Sequence, residues 1–195
     1  MSRAERKQER RVALLEGATR VLAESGLEGF TTGRIAEAAG IGQSGFYVYF
    51  EDRDTCLRAV AEHVGSQILA LTRHARLTGG TDFTASFVGA LQAMLTQRAT
   101  TTLFLRYRRD PGPLGDAFRS LIARALEELE TDMKAMGLFS EDAARRKRMA
   151  TYCVATTLGA AEGILDGEIA DIDTVAAELA GITIGVLIKW GWHES

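Results

Sequence analysis

The 195-residue chain has only two prolines, Pro111 and Pro113, confined to the tract Asp110-Pro111-Gly112-Pro113. Proline is the strongest helix breaker, so almost everything outside that tract is free to be helical. Cysteine is equally scarce. Cys56 and Cys153 are too few and too far apart for a disulfide framework or a zinc cluster, and their apolar surroundings read as buried thiols of a reducing compartment. The three histidines, His63, His74 and His193, are dispersed without metal-ligand spacing and accompany no nucleophile motif. No glycine-rich phosphate loop follows a strand. These absences argue against an enzyme, and neither a metal nor a cofactor is expected.

Long apolar runs are also missing. Nothing approaches the roughly 18 apolar residues that a membrane span needs, and the opening MSRAERKQERR has charges with no apolar stretch behind them. A cytoplasmic protein with no membrane partner is the expectation. Nor is there an excess of positive charge: 23 basic against 26 acidic residues leave a formal −3. Taken whole, that balance argues against nucleic acid. Its distribution removes the objection. Residues 1–53 carry eight basic and eight acidic side chains, so the acidic excess lies in residues 54–195. Residues 1–11 hold Arg3, Arg6, Lys7, Arg10 and Arg11 against Glu5 and Glu9. Such a run is compatible with a solvated tail or with an arm on a phosphate backbone.

What is present fits a globular all-α protein: 46% hydrophobic and 25% charged residues, enough for a real core. Val12, Leu15, Ala18, Leu22 and Ala23 recur at helical spacing before Ser25-Gly26 stops the first helix. Leu57, Val60, Val64, Ile68 and Leu71 mark a long helix from about Asp52-Arg53 to Ala75, followed by a loop over Leu77-Thr78-Gly79-Gly80-Thr81. Asp82 is a fair N-cap for the next helix. After the prolines, Leu114, Phe118, Leu121, Ile122, Ala125, Leu126, Leu129, Met133 and Met136 form a stripe of period 3.6. Gly137 ends it, and Ser140 with Glu141 opens the next helix. No stretch alternates with a period of two, and about nine helices are expected.

The stretch from Phe30 to Phe50 carries the function. Thr31 or Thr32 caps a short helix with Ile35, Ala36 and Ala39 on its inner face, Gly40 ends it, and Ile41 plugs the turn. A second short helix places Phe46 and Phe50 four residues apart, on one face. Two short helices around a glycine turn make a helix-turn-helix, whose second helix enters the DNA major groove. Gln43, at its start, is suited to bidentate bonding of adenine. The Tyr47 and Tyr49 hydroxyls suit phosphate or sugar, and Arg53 opens the following helix nearby. Phe46 and Phe50 read as core. Burying Tyr47 and Tyr49 as well would require partners for both hydroxyls.

From about Val12 to Val64 the sequence resembles the tetracycline-repressor (TetR/AcrR) family. The likeness lies in Gly29-Phe30-x-Thr32, Ile35-Ala36-x-Ala38-Ala39-Gly40-Ile41, Phe46-Tyr47-x-Tyr49-Phe50 and Asp52-Arg53-Asp54. The remainder matches only in helix number and length. The resemblance implies a dimeric, ligand-responsive transcriptional repressor with a DNA-binding domain over 1–60 (motif about 32–50) and an effector-binding and dimerisation domain over 61–195. By position it implies that Thr32 and Arg34 meet phosphate or a base, and that Gln43 and Ser44 read bases. Tyr47 would touch a base or the backbone, and Tyr49 and Arg53 would hold phosphates. Two departures matter: Gly42 replaces a frequent Ser or Thr cap, and Gly45 replaces a frequent Thr, Ser or Pro.

In the C-terminal half, the helix over about Asp142 to Gly167 places Val154, Leu158, Ala161 and Leu165 on one face and Tyr152, Thr156, Gly159 and Gly163 on the other. The last helix, about Asp173 to Trp190, is charged beyond its opening Asp173 only at Glu178 and Lys189 and is apolar all round, as buried helices are. A second copy of the chain is an economical cover, and Ala177, Gly181 and Gly185 at four-residue spacing would let two such helices approach closely. A two-fold dimer would set its recognition helices about 34–36 Å apart on a palindromic operator. For a small, largely apolar effector the resemblance implies a site among the middle helices. Phe87, Leu91, Met94, Phe104, Tyr107, Phe118, Ile122 and Tyr152 are its candidate walls, though each is equally a core residue by spacing. Glu162 interrupts an apolar tract and is compatible with orienting a ligand or with an interface pair. The rival from another class is a helical small-molecule or lipid-binding protein without DNA function. A carrier has no reason to expose Gln43, Tyr47, Tyr49 and Arg53 together.

Overall fold

A computed structural model describes residues 2–191, apart from the Arg3 side chain. His193 lies outside the described residues. Among them the chain is all-α, with nine helices and no strand: α1 (Arg3–Gly29), α2 (Thr32–Ala38), α3 (Gln43–Phe46), α4 (Arg53–Gly79), α5 (Phe83–Thr96), α6 (Arg98–Tyr107), α7 (Pro113–Ala135), α8 (Ala143–Leu165) and α9 (Ile172–Lys189). They group into two compact units. The smaller, called the head below, holds the chain up to Ser66 together with Arg106–Arg119; the larger holds Gln67–Leu105 and the residues from Ser120 onward.

In the head, the basic N-terminal run is helical. Ser2 caps it: its hydroxyl accepts from the Glu5 N–H while the Glu5 carboxylate accepts from the Ser2 N–H, a reciprocal capping box. Leu14, Leu15, Ala18, Val21 and Leu22 are buried on α1, whereas Ala23 is exposed. Gly26 adopts φ 62°, bending the helix where a stop was expected, and helical turns resume to Gly29. Gly17 has a different role. A Cβ there would lie 3.1 Å from the Ala39 nitrogen, so its smallness lets α1 lie against the end of α2, where Arg20 Nη2 donates to the Ala38 carbonyl at 2.8 Å. Phe30, Ile35, Phe46, Phe50, Leu57, Val60 and Val64 complete the core. Cys56 is buried, and loss of hydration pushes its thiol up to about 12, against the opposing field of Arg11.

The proline tract also belongs to the head. Pro113 is the first residue of α7, where its missing N–H costs nothing. Arg119 Nη1 donates to the Asp110 carbonyl at 3.0 Å and closes the loop. Tyr107, Leu114 and Phe118 are buried, and a Cβ on Gly26 would lie 3.4 Å from the Tyr107 hydroxyl.

In the larger unit, α5 runs along α9 and α8 packs against both. One core cluster joins Leu129 and Met133 of α7, Leu138 of the following turn, Met149 and Ala150 of α8, and Leu187 of α9. Asp132 is buried, and Arg73 Nη2 and Arg76 Nη2 reach its carboxylate at 3.2 and 2.6 Å. Burial raises its pKa, but the hydrogen bonds and charges of the two guanidinium groups outweigh burial and hold it below the ordinary carboxylate value.

Two further boundaries differ from expectation. Helix α4 continues through Leu77, Thr78 and Gly79 rather than looping there, because Gly80, at φ 57°, supplies the stop. Gly79 lies so close to α5 that a Cβ would fall 2.4 Å from Ser86 Oγ. The cap of α8 is Asp142, accepting from the Arg145 N–H at 2.9 Å, rather than Ser140-Glu141. Asp82 caps α5 as expected, accepting from Ala85 N at 2.9 Å.

Candidate nucleic-acid interface

The Thr31 hydroxyl accepts from the Arg34 N–H and opens α2. Gly40, at φ 68°, turns the chain, and the Ile41 N–H returns to the Ala36 carbonyl at 2.9 Å. Helix α3 then starts at Gln43 with Gly42 as a cap that offers no side-chain hydrogen bond. Beyond Phe46 the turn tightens: the Val48 and Tyr49 N–H groups reach back three residues, to Gly45 and Phe46.

This geometry divides the side chains. Phe46 and Phe50 are buried, their rings 5.6 Å apart. Gln43, Ser44, Tyr47 and Val48 are exposed, and Tyr49 is half-buried. Tyr47 stands edge-on to Phe46 at 5.4 Å with over half its surface free. Gln43 Nε2 donates to Thr32 Oγ1 at 3.4 Å, bringing the first residue of α3 to the first of α2. Arg34 is exposed one helical turn's edge away, and Thr32 is half-buried. Arg11, on the basic run of α1, places its guanidinium 5.7 Å from the centre of the Phe50 ring.

Arg53 is placed differently from the rest. Its Nε donates to the Phe30 carbonyl at 2.9 Å and its Nη2 to the Leu27 carbonyl at 2.6 Å, while Nη1 lies 3.8 Å from Asp54. It fastens the start of α4 to the end of α1. Thus Thr32, Arg34, Gln43, Ser44 and Tyr47 are gathered around α2 and α3, Tyr49 is partly withdrawn, and Arg53 is committed to the main chain. Sequence reasoning passed over Val48, although an aliphatic residue four after Ser44 was visible.

Residues 14–60 match the family described as bacterial regulatory proteins, tetR family. The match spans the helix-turn-helix and parts of the helices on either side of it, about a quarter of the chain. No curated protein matches its sequence. Solved structures share the tetR-type fold across nearly the whole chain. A TetR-like transcriptional regulator from Rhodococcus sp. RHA1 is 20% identical with a TM-score of 0.66, covering 96% of this chain and 98% of that one. NalD, the secondary repressor of the MexAB-OprM multidrug efflux pump in Pseudomonas aeruginosa, is 20% identical with a TM-score of 0.66 over 92% and 96%. The fatty acid degradation regulator FadR from Bacillus halodurans is 17% identical with a TM-score of 0.67 over 89% and 93%.

The expected effector residues are divided between the two units. Phe87, Leu91, Met94 and Phe104 are buried in the larger unit, with Ile122 and Glu162 half-buried there. Tyr107 and Phe118 belong to the head. Tyr152 is 47% exposed, on the outer side of α8 with Ala155 and Gly159. The resemblance makes it a candidate wall, while its spacing sets it on the face of α8 opposite Val154.

The small residues of the last two helices also divide. Ala177, Gly181 and Gly185 are exposed on α9 beside Ile182 and Ile188, which are 59% and 56% exposed. Gly159 is exposed, with nothing within 4 Å of a Cβ. Gly163 is buried, and a Cβ there would lie 2.8 Å from Ile169 Cδ1 of the same chain, so its smallness serves the subunit's own packing. A surface cavity of about 390 Å³ is lined by Arg73, Arg124, Glu127, Glu128 and Thr131, all charged or polar. None of the effector candidates lines it. Among the described residues, no helix is long and apolar enough to cross a membrane, and no group of three His, Cys, Asp or Glu side chains is placed to hold a metal ion.

Proposed function

We propose that the protein is a ligand-responsive transcriptional repressor that binds a palindromic operator as a homodimer and leaves it when a small, largely apolar effector occupies the C-terminal part. The observation that carries this reading is the division of the recognition helix: Phe46 and Phe50 hold it on the core while Gln43, Ser44 and Tyr47 face outward together. A carrier of small molecules gains nothing from that exposure. Arg34 on α2 and the helical basic run of α1 add positive charge suited to phosphate.

Dimerisation rests on α9. Its exposed Ala177, Gly181, Gly185, Ile182 and Ile188 form a surface that is poor in charge and needs cover. A second copy offers the same small residues, so two helices can approach closely about a two-fold axis. Effector binding rests on the apolar residues of α5 and α6, Phe87, Leu91, Met94 and Phe104. Two similar folds support the regulatory output, one named as an efflux-pump repressor and one as a regulator of fatty acid degradation. The effector acts only through its different affinity for the DNA-bound and free conformations.

Mobility shifts of the purified protein on the DNA upstream of its own gene test the reading. A salt-sensitive, sequence-selective complex is expected, with a two-fold symmetric footprint. Binding that does not discriminate this DNA from a shuffled duplex would overturn it.

A further inference from the structure

The exposed surface just past the end of the recognition helix has one aliphatic member. Val48 is 64% exposed, the most exposed large hydrophobic side chain among the described residues. It lies in the tight turn that follows α3, next to Tyr47, which is exposed as well. The main chain holds it there: the Val48 N–H bonds to the Gly45 carbonyl, and the next two N–H groups both return to the Phe46 carbonyl. Phe46 is fully buried, so the turn that presents Val48 is anchored from behind. Its β-branched side chain has few rotamers, which makes it a stiff probe.

From this placement we infer that Val48 is a specificity residue, reading the 5-methyl group of a thymine in the major groove. The inference rests on the DNA-binding reading above and deepens it. In that groove the thymine methyl is the one apolar feature distinguishing a base pair, and it is matched by apolar side chains rather than by hydrogen bonds. Gln43, Ser44 and Tyr47 all offer hydrogen-bonding atoms. Val48 has none to offer. Covered by a phosphate or a cytosine amino group, it would leave that polar group without a partner; covered by a methyl, it removes apolar surface from water on both sides. Cytosine carrying a 5-methyl group presents the same feature, so Val48 would accept it in place of thymine at that position.

The test begins with duplexes selected by the full-length protein from a random-sequence pool. Each thymine of the selected site is then replaced singly by deoxyuridine, which removes only the methyl. One position in each half-site is expected to lose about threefold to fivefold in affinity, the worth of one methyl group withdrawn from water. Val48→Ala should bind the thymine site more weakly and lose the distinction between thymine and uracil, with an unchanged melting temperature. Restoring the methyl as 5-methylcytosine, paired with guanine, should recover binding by the original protein relative to cytosine, but not by Val48→Ala. A uracil scan without a sensitive position, or the same sensitivity in Val48→Ala, overturns the inference while leaving DNA recognition intact. A pool that yields no selected sequence overturns both.

Discussion

Arg53 Nε donates to the Phe30 main-chain oxygen at 2.9 Å, joining the first residue of α4 to the link between α1 and α2. The neighbouring bond from Nη2 to the Leu27 carbonyl makes the guanidinium a two-point clamp. Its charge sits near the proposed DNA surface, but its donors are directed at the protein. Arg53→Ala should therefore lower stability by about 1–2 kcal/mol, since the clamp is partly exposed. It should weaken DNA binding through the placement of α2 and α3, leaving the salt dependence almost unchanged. A fall of about one in the slope of log affinity against log salt would instead identify Arg53 as a phosphate ligand.

Gln43→Ala makes a different prediction. The side chain is exposed, and its bond to Thr32 is long at 3.4 Å, so the fold should not notice the change. Discrimination at one base position should fall by about 1–3 kcal/mol. Competition mobility shifts against single-base variants of the selected operator measure it; an unaltered preference at every position would remove Gln43 from base reading.

Asp132 predicts an acid limit. Arg73 and Arg76 hold its pKa below the ordinary value despite burial. A carboxylate depressed in the folded state contributes stability above its unfolded pKa, and that contribution disappears as pH falls through the folded one. The melting temperature should thus drop on acidification below the usual carboxylate range. Asp132→Asn should melt lower at neutral pH, by the equivalent of about 1–3 kcal/mol, with a flatter acid limb. Parallel limbs for the two proteins would show that this cluster does not set the acid response.

The glycines of α8 and α9 separate packing from association. Gly181 has nothing within 4 Å of a Cβ, so Gly181→Arg should fold well, and even gain helix propensity, yet sediment as a monomer. Gly163→Ala should do the reverse, keeping the dimer while losing stability from the Ile169 clash. A dimer that survives Gly181→Arg would place the interface elsewhere.

The helix-turn-helix was legible because its decisive features are local: a capping threonine, a glycine able to turn at positive φ, and two phenylalanines one turn apart. Caps such as Asp82 were legible for the same reason. Arg53 was expected to hold phosphate, and the partners it has in the structure are main-chain carbonyls, which every residue carries and no sequence advertises. Arg145 and Arg146 are similar: they donate to the carbonyls of Trp190, at 2.9 Å, and Ser140, at 2.7 Å. Tyr152 shows the limit of periodicity. Spacing defines which residues share a face of α8, and only the neighbours that pack on it decide whether that face is inside.

Tyr107 and Phe118 are far from the first helices in sequence, yet they belong with them in one compact unit. The head is therefore a discontinuous assembly, completed only after about three-fifths of the chain has been synthesised. A chimaera joining residues 1–60 to another C-terminal body would leave part of it behind. Exchange of DNA specificity in this protein is better made by regrafting the surface of α3 than by transplanting the N-terminal segment whole.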